Sequence, residues 1–230
     1  MKHVLRSVFL FAIIIIITSV SMITQKKTRI LFFGDSITEM GVNPGGFITL
    51  IGDELKAKDL SSQYDIIGGG VGGDRVYDLY LRMDEDVLAK DPDVVVIWVG
   101  VNDVWHKTSG TGTSADKFEK FYVAIIKKLL AKNIKVILAP PAVIGERTDI
   151  TNPQDGDLNY YSNIVSKIAK EYKTDFIDLR KDFIAFDLKN NPENKESGIL
   201  TTDGVHLAAA GNKLVAQKML EILVPGYKWN

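Results

Sequence analysis

The chain has no cysteine and only three histidines among its 230 residues. The missing cysteine excludes disulfide staples, thiolate zinc sites, iron–sulfur clusters and a cysteine nucleophile. It neither requires nor forbids an oxidising compartment. A surplus of one charge is also missing, since 28 Lys+Arg stand against 29 Asp+Glu. Nucleic-acid binders as a class carry a clear positive excess, so nucleic acid is not an expected partner. With 46% hydrophobic residues the chain is not a charge-dominated disordered one either. Imidazoles are too few, and no His-x-x-x-His occurs, so a catalytic zinc lacks ligands. Asp103 and Asp203 could hold a hard cation, but turn or hydrogen-bonding roles explain them more simply. No metal and no cofactor are expected.

The N-terminal segment differs from the rest. Lys2 and Arg6 form a positive head. Residues 8–17 are an unbroken run of ten apolar side chains, followed by Thr18-Ser19-Val20-Ser21. A basic head, an apolar run and a small-x-small exit at Ser19-x-Ser21 make a secretory signal, here assigned to residues 1–24. Two alternatives are a buried core helix and an uncleaved anchor that associates with a membrane through residues 8–23. That stretch of 16 residues is shorter than the usual spanning helix. Cleavage is therefore favoured, and the chain is expected to be exported. Its mature part would carry 26 basic and 29 acidic residues, a mildly acidic domain.

From Thr28 onward there is no low-complexity linker, composition break or internal repeat. Short apolar runs alternate with longer amphipathic stretches, the βαβα pattern of a parallel sheet. Strands are expected at 29–33, 64–67, 94–99, 134–139 and 175–179. Their Val and Ile content on both alternating faces suits strands buried on two sides. Helices are expected near 46–58, 75–89, 115–132, 156–172 and 208–223. Within the third, Phe118, Phe121, Tyr122, Ile125, Leu129 and Leu130 fall on one helical stripe. Residues 141–155 and 186–202 read as surface connections that could border a site. One three-layer α/β/α domain over residues 28–227 is the economical conclusion.

Chemistry can be sought at the carboxyl ends of the strands, where open parallel sheets bind ligands. Gly34-Asp35-Ser36 follows the first strand. All three residues are also common in turns, so the tripeptide alone is equally ordinary turn chemistry. A serine hydroxyl is a weak nucleophile and needs a base. His3 lies in the leader, which leaves His106 and His206. His206 stands in Asp203-Gly204-Val205-His206, where a turn can bring the Asp203 carboxylate to one ring nitrogen and leave the other free. By itself, Asp-x-x-His is also compatible with an exposed loop histidine. His106 is the rival base. With Val104 and Trp105 beside it, a packed role or a wall of the cleft suits it better.

Acyl transfer further needs donors aimed at the developing oxyanion. The glycine-rich run 68–73 follows the second strand and lets backbone N–H groups approach a ligand. Asn102 follows the third strand and carries a side-chain amide donor. The same glycines fit the dinucleotide spacing Gly68-x-Gly70-x-x-Gly73. Against that reading, they follow the second strand rather than the first. Asp74 would also stand where a pyrophosphate should sit. A nucleotide-binding domain and a non-catalytic carbohydrate- or lipid-binding domain therefore remain as alternatives.

Taken together, four blocks resemble the SGNH (GDSL) hydrolase superfamily. They are Gly34-Asp35-Ser36, Gly70-Val71-Gly72-Gly73-Asp74, Gly100-Val101-Asn102-Asp103 and Asp203-Gly204-Val205-His206. Any one is weakly specific, but four in order across residues 31–207 are strongly so. The runs 71–75 and 98–103 are similar to the platelet-activating-factor acetylhydrolase-like and lysophospholipase-like branch. The sequence departs at Gly68, where many members carry asparagine. The resemblance implies a flavodoxin-like sheet of five parallel strands in the order 2-1-3-4-5. It implies a serine esterase in which Ser36 attacks the ester carbonyl, His206 is general base and then general acid, and Asp203 orients His206. The Ser36 and Gly73 N–H groups and the Asn102 side chain would form the oxyanion hole. Export of the chain would make acetylated polysaccharides, lipids or lysophospholipids its candidate substrates. Trp98, Trp105, Tyr160 and Tyr161 either offer a sugar platform or pack in the core.

Overall fold

The computed structural model describes residues 26–229. The segment 1–24, with its export reading, lies outside the described residues. Five parallel strands form one sheet in the order β2-β1-β3-β4-β5. They are β1 Thr28–Gly34, β2 Tyr64–Gly70, β3 Val94–Trp98, β4 Lys135–Ala139 and β5 Asp175–Phe176. The expected α/β fold and strand order are both present.

Side chains alternate along each strand, so the sheet has a core on either face. Ile30 and Phe32 of β1 join Val94, Val96 and Trp98 of β3 under the helices Phe47–Ala57 and Ala209–Leu223. Leu31, Phe33, Val95 and Ile97 face the other way, beneath Val76–Asp86, Ala115–Leu130 and Asp155–Tyr172. Phe32, Phe47 and Trp98 meet edge to face at 5.6 and 5.7 Å between ring centroids, the arrangement that aromatic quadrupoles favour.

Three local expectations change. The Ala115–Leu130 helix buries Phe118, Tyr122, Ile125, Ile126 and Leu129. Leu130 instead stands at the surface and Phe121 is half-buried, because the apolar stripe drifts around the axis over four turns. The fifth strand stops at Phe176. Ile177 adds one further hydrogen bond to Leu138 (2.9 Å), and then the Asp178 side chain accepts from Lys181 N–H and caps a helix, Leu179–Asn190. That helix takes in Leu179, expected in the strand, and the start of the expected 186–202 loop. Two five-residue helices, Ser36–Met40 and Val101–Trp105, also follow β1 and β3. They are too short to show a periodic signal.

Glycine is required where β2 ends. A Cβ on Gly70 would lie 2.5 Å from the Thr38 carbonyl carbon and 2.7 Å from the Asp35 oxygen, so the Ser36–Met40 helix sits directly on that backbone. Gly68, the departure from the family pattern, has its Cβ space filled by the Val42 side chain.

Candidate active site

The strand order sets β1 and β3 side by side, and Ser36 and Asn102 follow their carboxyl ends. Asp35 is extended, and its carboxylate accepts from Ile37 N–H at 3.0 Å. This cap turns the chain at once from strand to helix and leaves Ser36 as the first helical residue. Asp35 is buried, and burial first, then the Asp103 and Asp74 charges, push its carboxyl up to about 7.

At the other end of the chain, residues 201–207 close a tight loop. Thr201 and Leu207 form an antiparallel bridge, and Thr202 N–H donates to the His206 carbonyl at 2.7 Å. Within it, Asp203 Oδ1 accepts from the N–H groups of Val205 (3.0 Å) and His206 (2.8 Å). The other carboxylate oxygen lies 2.7 Å from His206 Nδ1. The far ring nitrogen, Nε2, lies 2.9 Å from Ser36 Oγ. Hydroxyl, imidazole and carboxylate thus form one continuous chain across 170 residues of sequence. Burial works against the Asp203 charge, but the bonds from the His206 ring and from the His206 and Val205 N–H groups hold its carboxyl below the ordinary value.

The two loops expected to supply donors are tied together. Asn102 is 3% exposed, and its Nδ2 donates to the Asp74 carbonyl at 3.0 Å, leaving its second amide hydrogen. One residue on, the buried Asp103 carboxylate accepts from Val76 N–H at 3.1 and 3.3 Å. Burial pushes Asp103 up to about 7. Gly73 comes directly before Asp74, at φ +81°, a conformation natural to glycine. Among the described residues the N–H groups of Ser36 and Gly73 have no hydrogen-bond partner.

Arg82 was not singled out in the sequence. Its guanidinium donates to Asp74 Oδ2 (2.6 Å), Asp86 Oδ2 (2.9 Å), the Gly34 carbonyl (2.8 Å) and the Gly69 carbonyl (3.0 Å). It also lies over the Phe33 ring at 4.5 Å. Only the tertiary fold shows this, because an arginine on an amphipathic helix reads as an ordinary surface residue.

The remaining candidates sort as follows. His106 starts a short 3₁₀ turn, with its ring 6.1 Å from that of Trp105, and it makes no bond to Ser36. Trp105 packs edge-on against His206 at 6.3 Å. Trp98 and Tyr161 are buried in the two cores, and Tyr160 is exposed on its helix. The start of the Val76–Asp86 helix, where a dinucleotide phosphate would dock, is already filled by carboxylates. Asp103 takes Val76 N–H, and Asp78 takes Arg75 N–H at 3.0 Å. Among the described residues no group of three or more His, Asp or Glu side chains could hold a metal ion.

Comparison with known proteins places the chain in a family. The GDSL-like Lipase/Acylhydrolase family matches over residues 32–214. The crystal structure of an acetyl xylan esterase, AlAXEase, is 61% identical and superposes with a TM-score of 0.84, covering 85% of this chain and all of that one. An acetylxylan esterase of Geobacillus stearothermophilus is 27% identical over 219 residues, 87% of this chain and 95% of the relative. The uncharacterized lipoprotein YqeF of Bacillus subtilis (strain 168) is 26% identical over 170 residues, 66% of this chain and 70% of the relative. The chain belongs to the GDSL-like lipase/acylhydrolase family and is a carboxylic ester hydrolase.

Proposed function

We propose that this hydrolase removes acetyl groups from acetylated xylan or its oligosaccharides through a Ser36–His206–Asp203 triad. The observation that carries the triad is the unbroken relay, 2.9 Å from Ser36 Oγ to His206 Nε2 and 2.7 Å from His206 Nδ1 to Asp203 Oδ2. The substrate rests on the two acetylxylan esterases to which the chain is similar.

In this reading His206 Nε2 takes the Ser36 proton as Oγ attacks the acetyl carbonyl. The carbonyl oxygen becomes an oxyanion, received by the Ser36 and Gly73 N–H groups and the second Asn102 amide hydrogen. The C–O bond to the sugar then breaks, and His206 returns the proton to the departing sugar oxygen. Water, deprotonated by His206, attacks the acetyl-serine, and acetate leaves as Ser36 regains its proton. Asp203 stays ionised throughout. It fixes the tautomer with the proton on Nδ1 and stabilises the imidazolium.

The same proposal covers export and domain extent. A leader over residues 1–24, by cleavage or by anchoring, would deliver one hydrolase domain, residues 28–227, to a polymer that does not enter cells. The similarity to a lipoprotein supports this.

The test is acetate release from acetylated xylooligosaccharides by wild type and Ser36→Ala, with circular dichroism to confirm folding. Loss of release in a folded variant is expected. Full activity in that variant would sink the triad. A wild type that cleaves nitrophenyl acetate but spares the sugar ester would sink the substrate.

A further inference from the structure

The two halves of an ester must leave Ser36 in different directions. The carbonyl oxygen has to face the N–H donors, and the alcohol oxygen has to reach the imidazole that protonates it. The donor candidates Gly73 and Asn102 follow β2 and β3, whereas His206 comes from the loop before the last helix. The alcohol half therefore runs out past His206 and Asp203. A cleft of about 460 Å³ opens there, lined among others by Trp105, Arg147, Thr151, Gln154, Glu196 and Asp203. That volume lies within the range of roughly 300–1,000 Å³ for small-molecule sites.

We propose that this cleft is the subsite for the sugar of the alcohol half, a neutral polyhydroxylated chain held by Arg147 and Glu196 beside the Trp105 ring. The inference rests on the carbohydrate-ester reading above. Arg147 Nη2 meets Glu196 Oε2 at 3.0 Å, with the two side chains 42% and 71% exposed. So exposed a pair contributes little to stability. It does set a forked donor beside an acceptor, which matches neighbouring hydroxyls that each donate and accept. The Trp105 ring supplies an apolar surface at the edge of His206. The only guanidinium on the lining is already paired, and Asp203 adds a negative charge. An anionic headgroup is therefore disfavoured and a neutral sugar is not.

The lining is preorganised. The Asn152 amide clasps the Arg147 backbone from both sides, accepting from its N–H at 3.2 Å and donating to its carbonyl at 2.7 Å. Glu146 N–H donates to the Glu196 carbonyl (2.9 Å), and Gly145 N–H donates to the Gly204 carbonyl (2.8 Å). The segments around 145, 196 and 204 are thus joined before any ligand arrives, which lowers the ordering cost of binding. Both Asp203 oxygens are committed to its own loop and to His206. Sugar recognition in the cleft falls to the other side chains.

The experiment compares wild type, Arg147→Ala and Glu196→Gln on an acetylated xylooligosaccharide and on 4-nitrophenyl acetate. It also measures inhibition of the second reaction by unesterified xylooligosaccharide. In each variant the KM for the sugar ester should rise about tenfold, the scale of one charge-assisted hydrogen bond. The ratio of kcat/KM between sugar ester and nitrophenyl ester should fall by a similar factor, and the inhibition constant should rise with it. An unchanged ratio in both variants overturns the subsite. Equal losses on the two substrates also overturn it, since the loop would then act through Asp203. If wild type spares the sugar ester altogether, the substrate reading fails and inhibition alone decides the cleft. Inhibition that weakens in the variants upholds the cleft, and its absence in wild type overturns it.

Discussion

The Arg82 guanidinium donates to the Gly34 carbonyl oxygen at 2.8 Å and so joins a helix on one face of the sheet to the peptide that enters the Ser36 turn. The same group binds the Gly69 carbonyl and the Asp74 carboxylate, next to Gly73. Arg82 is thus a positioning residue that sets the Ser36 turn against the glycine loop. A lysine keeps the charge but loses the fork that reaches several oxygens at once. Arg82→Lys should lower kcat on nitrophenyl acetate by about tenfold or more with KM little changed, consistent with a misplaced oxyanion donor. Arg82→Ala strands the half-buried Asp74 charge and should also cost several degrees of Tm. A kcat equal to wild type in a folded Arg82→Lys enzyme would remove the positioning role.

Ser36→Ala should reduce kcat/KM on nitrophenyl acetate by at least about 10³-fold, and His206→Ala by a comparable factor. The double variant should lose little more than either single one, because the two act as a unit. Additive losses in the double variant would argue that they do not.

Asn102→Ala removes a donor while leaving the relay intact. It should cost about 10²–10³-fold in kcat, the usual worth of one oxyanion donor. The same change deletes the bond to the Asp74 carbonyl. Thermal melting separates the two effects, since the tie to Asp74 contributes to Tm in the free enzyme whereas an oxyanion donor acts only in the transition state. If folded Asn102→Ala keeps wild-type kcat, the side chain is structural only.

Stability should depend on pH through Asp187. This carboxylate is buried, and its Oδ1 has no partner among the described residues. Burial, then the Glu146 carboxylate, push it up to about 7. The Glu146 carboxylate accepts from the N–H groups of Ile199, Leu200 and Thr201 at 2.6–2.8 Å. An acid whose pKa is raised by folding binds more protons folded than unfolded between its two pKa values. Its contribution to stability therefore declines as pH rises from about 4 through about 7. Asp35 and Asp103 act in the same direction. Asp187→Asn should raise Tm at pH 8 by at least about 2 °C and flatten the decline between pH 5 and pH 8. Equal slopes in scanning calorimetry for wild type and variant would refute this.

Gly70→Ala should injure activity more than any nearby surface change. The added methyl would overlap backbone of the Ser36–Met40 helix, and no flexible side chain is there to yield. Loss of kcat with a lowered Tm is expected. Gly72→Ala serves as the control, because its nearest neighbour is the tip of the Glu39 side chain.

Much of the fold and of the candidate site was legible in the residues. The alternating Val and Ile runs announced a sheet covered on both faces. Gly34-Asp35-Ser36 and Asn102 follow expected strands, and Asp203-x-x-His206 precedes the expected last helix, at positions that short motifs mark. The misses are equally specific. Ser36–Met40 and Val101–Trp105 are single turns fixed by a cap and by packing, with no period to read. Leu179 reads as strand because its apolar neighbours look alike in either state, and the Asp178 cap makes it helical. Arg82, the Arg147–Glu196 pair and the orphaned Asp187 oxygen carry no local signature at all.

The sequence by itself determined what repeats over short range: strand and helix periods, turn chemistry, and which hydroxyl, imidazole and carboxylate were present to react. Distances across long separations were decided by tertiary structure alone. Ser36 and His206 meet at 2.9 Å only because the last helix packs back onto the core on one face of the sheet, shared with β1 and β3. The same packing pairs Arg82 with carbonyls from two strands and turns residues around 147 and 196 into one wall. Such contacts follow from burying two apolar faces of one sheet at once, a constraint that acts on the whole chain and leaves no trace in any short stretch of it.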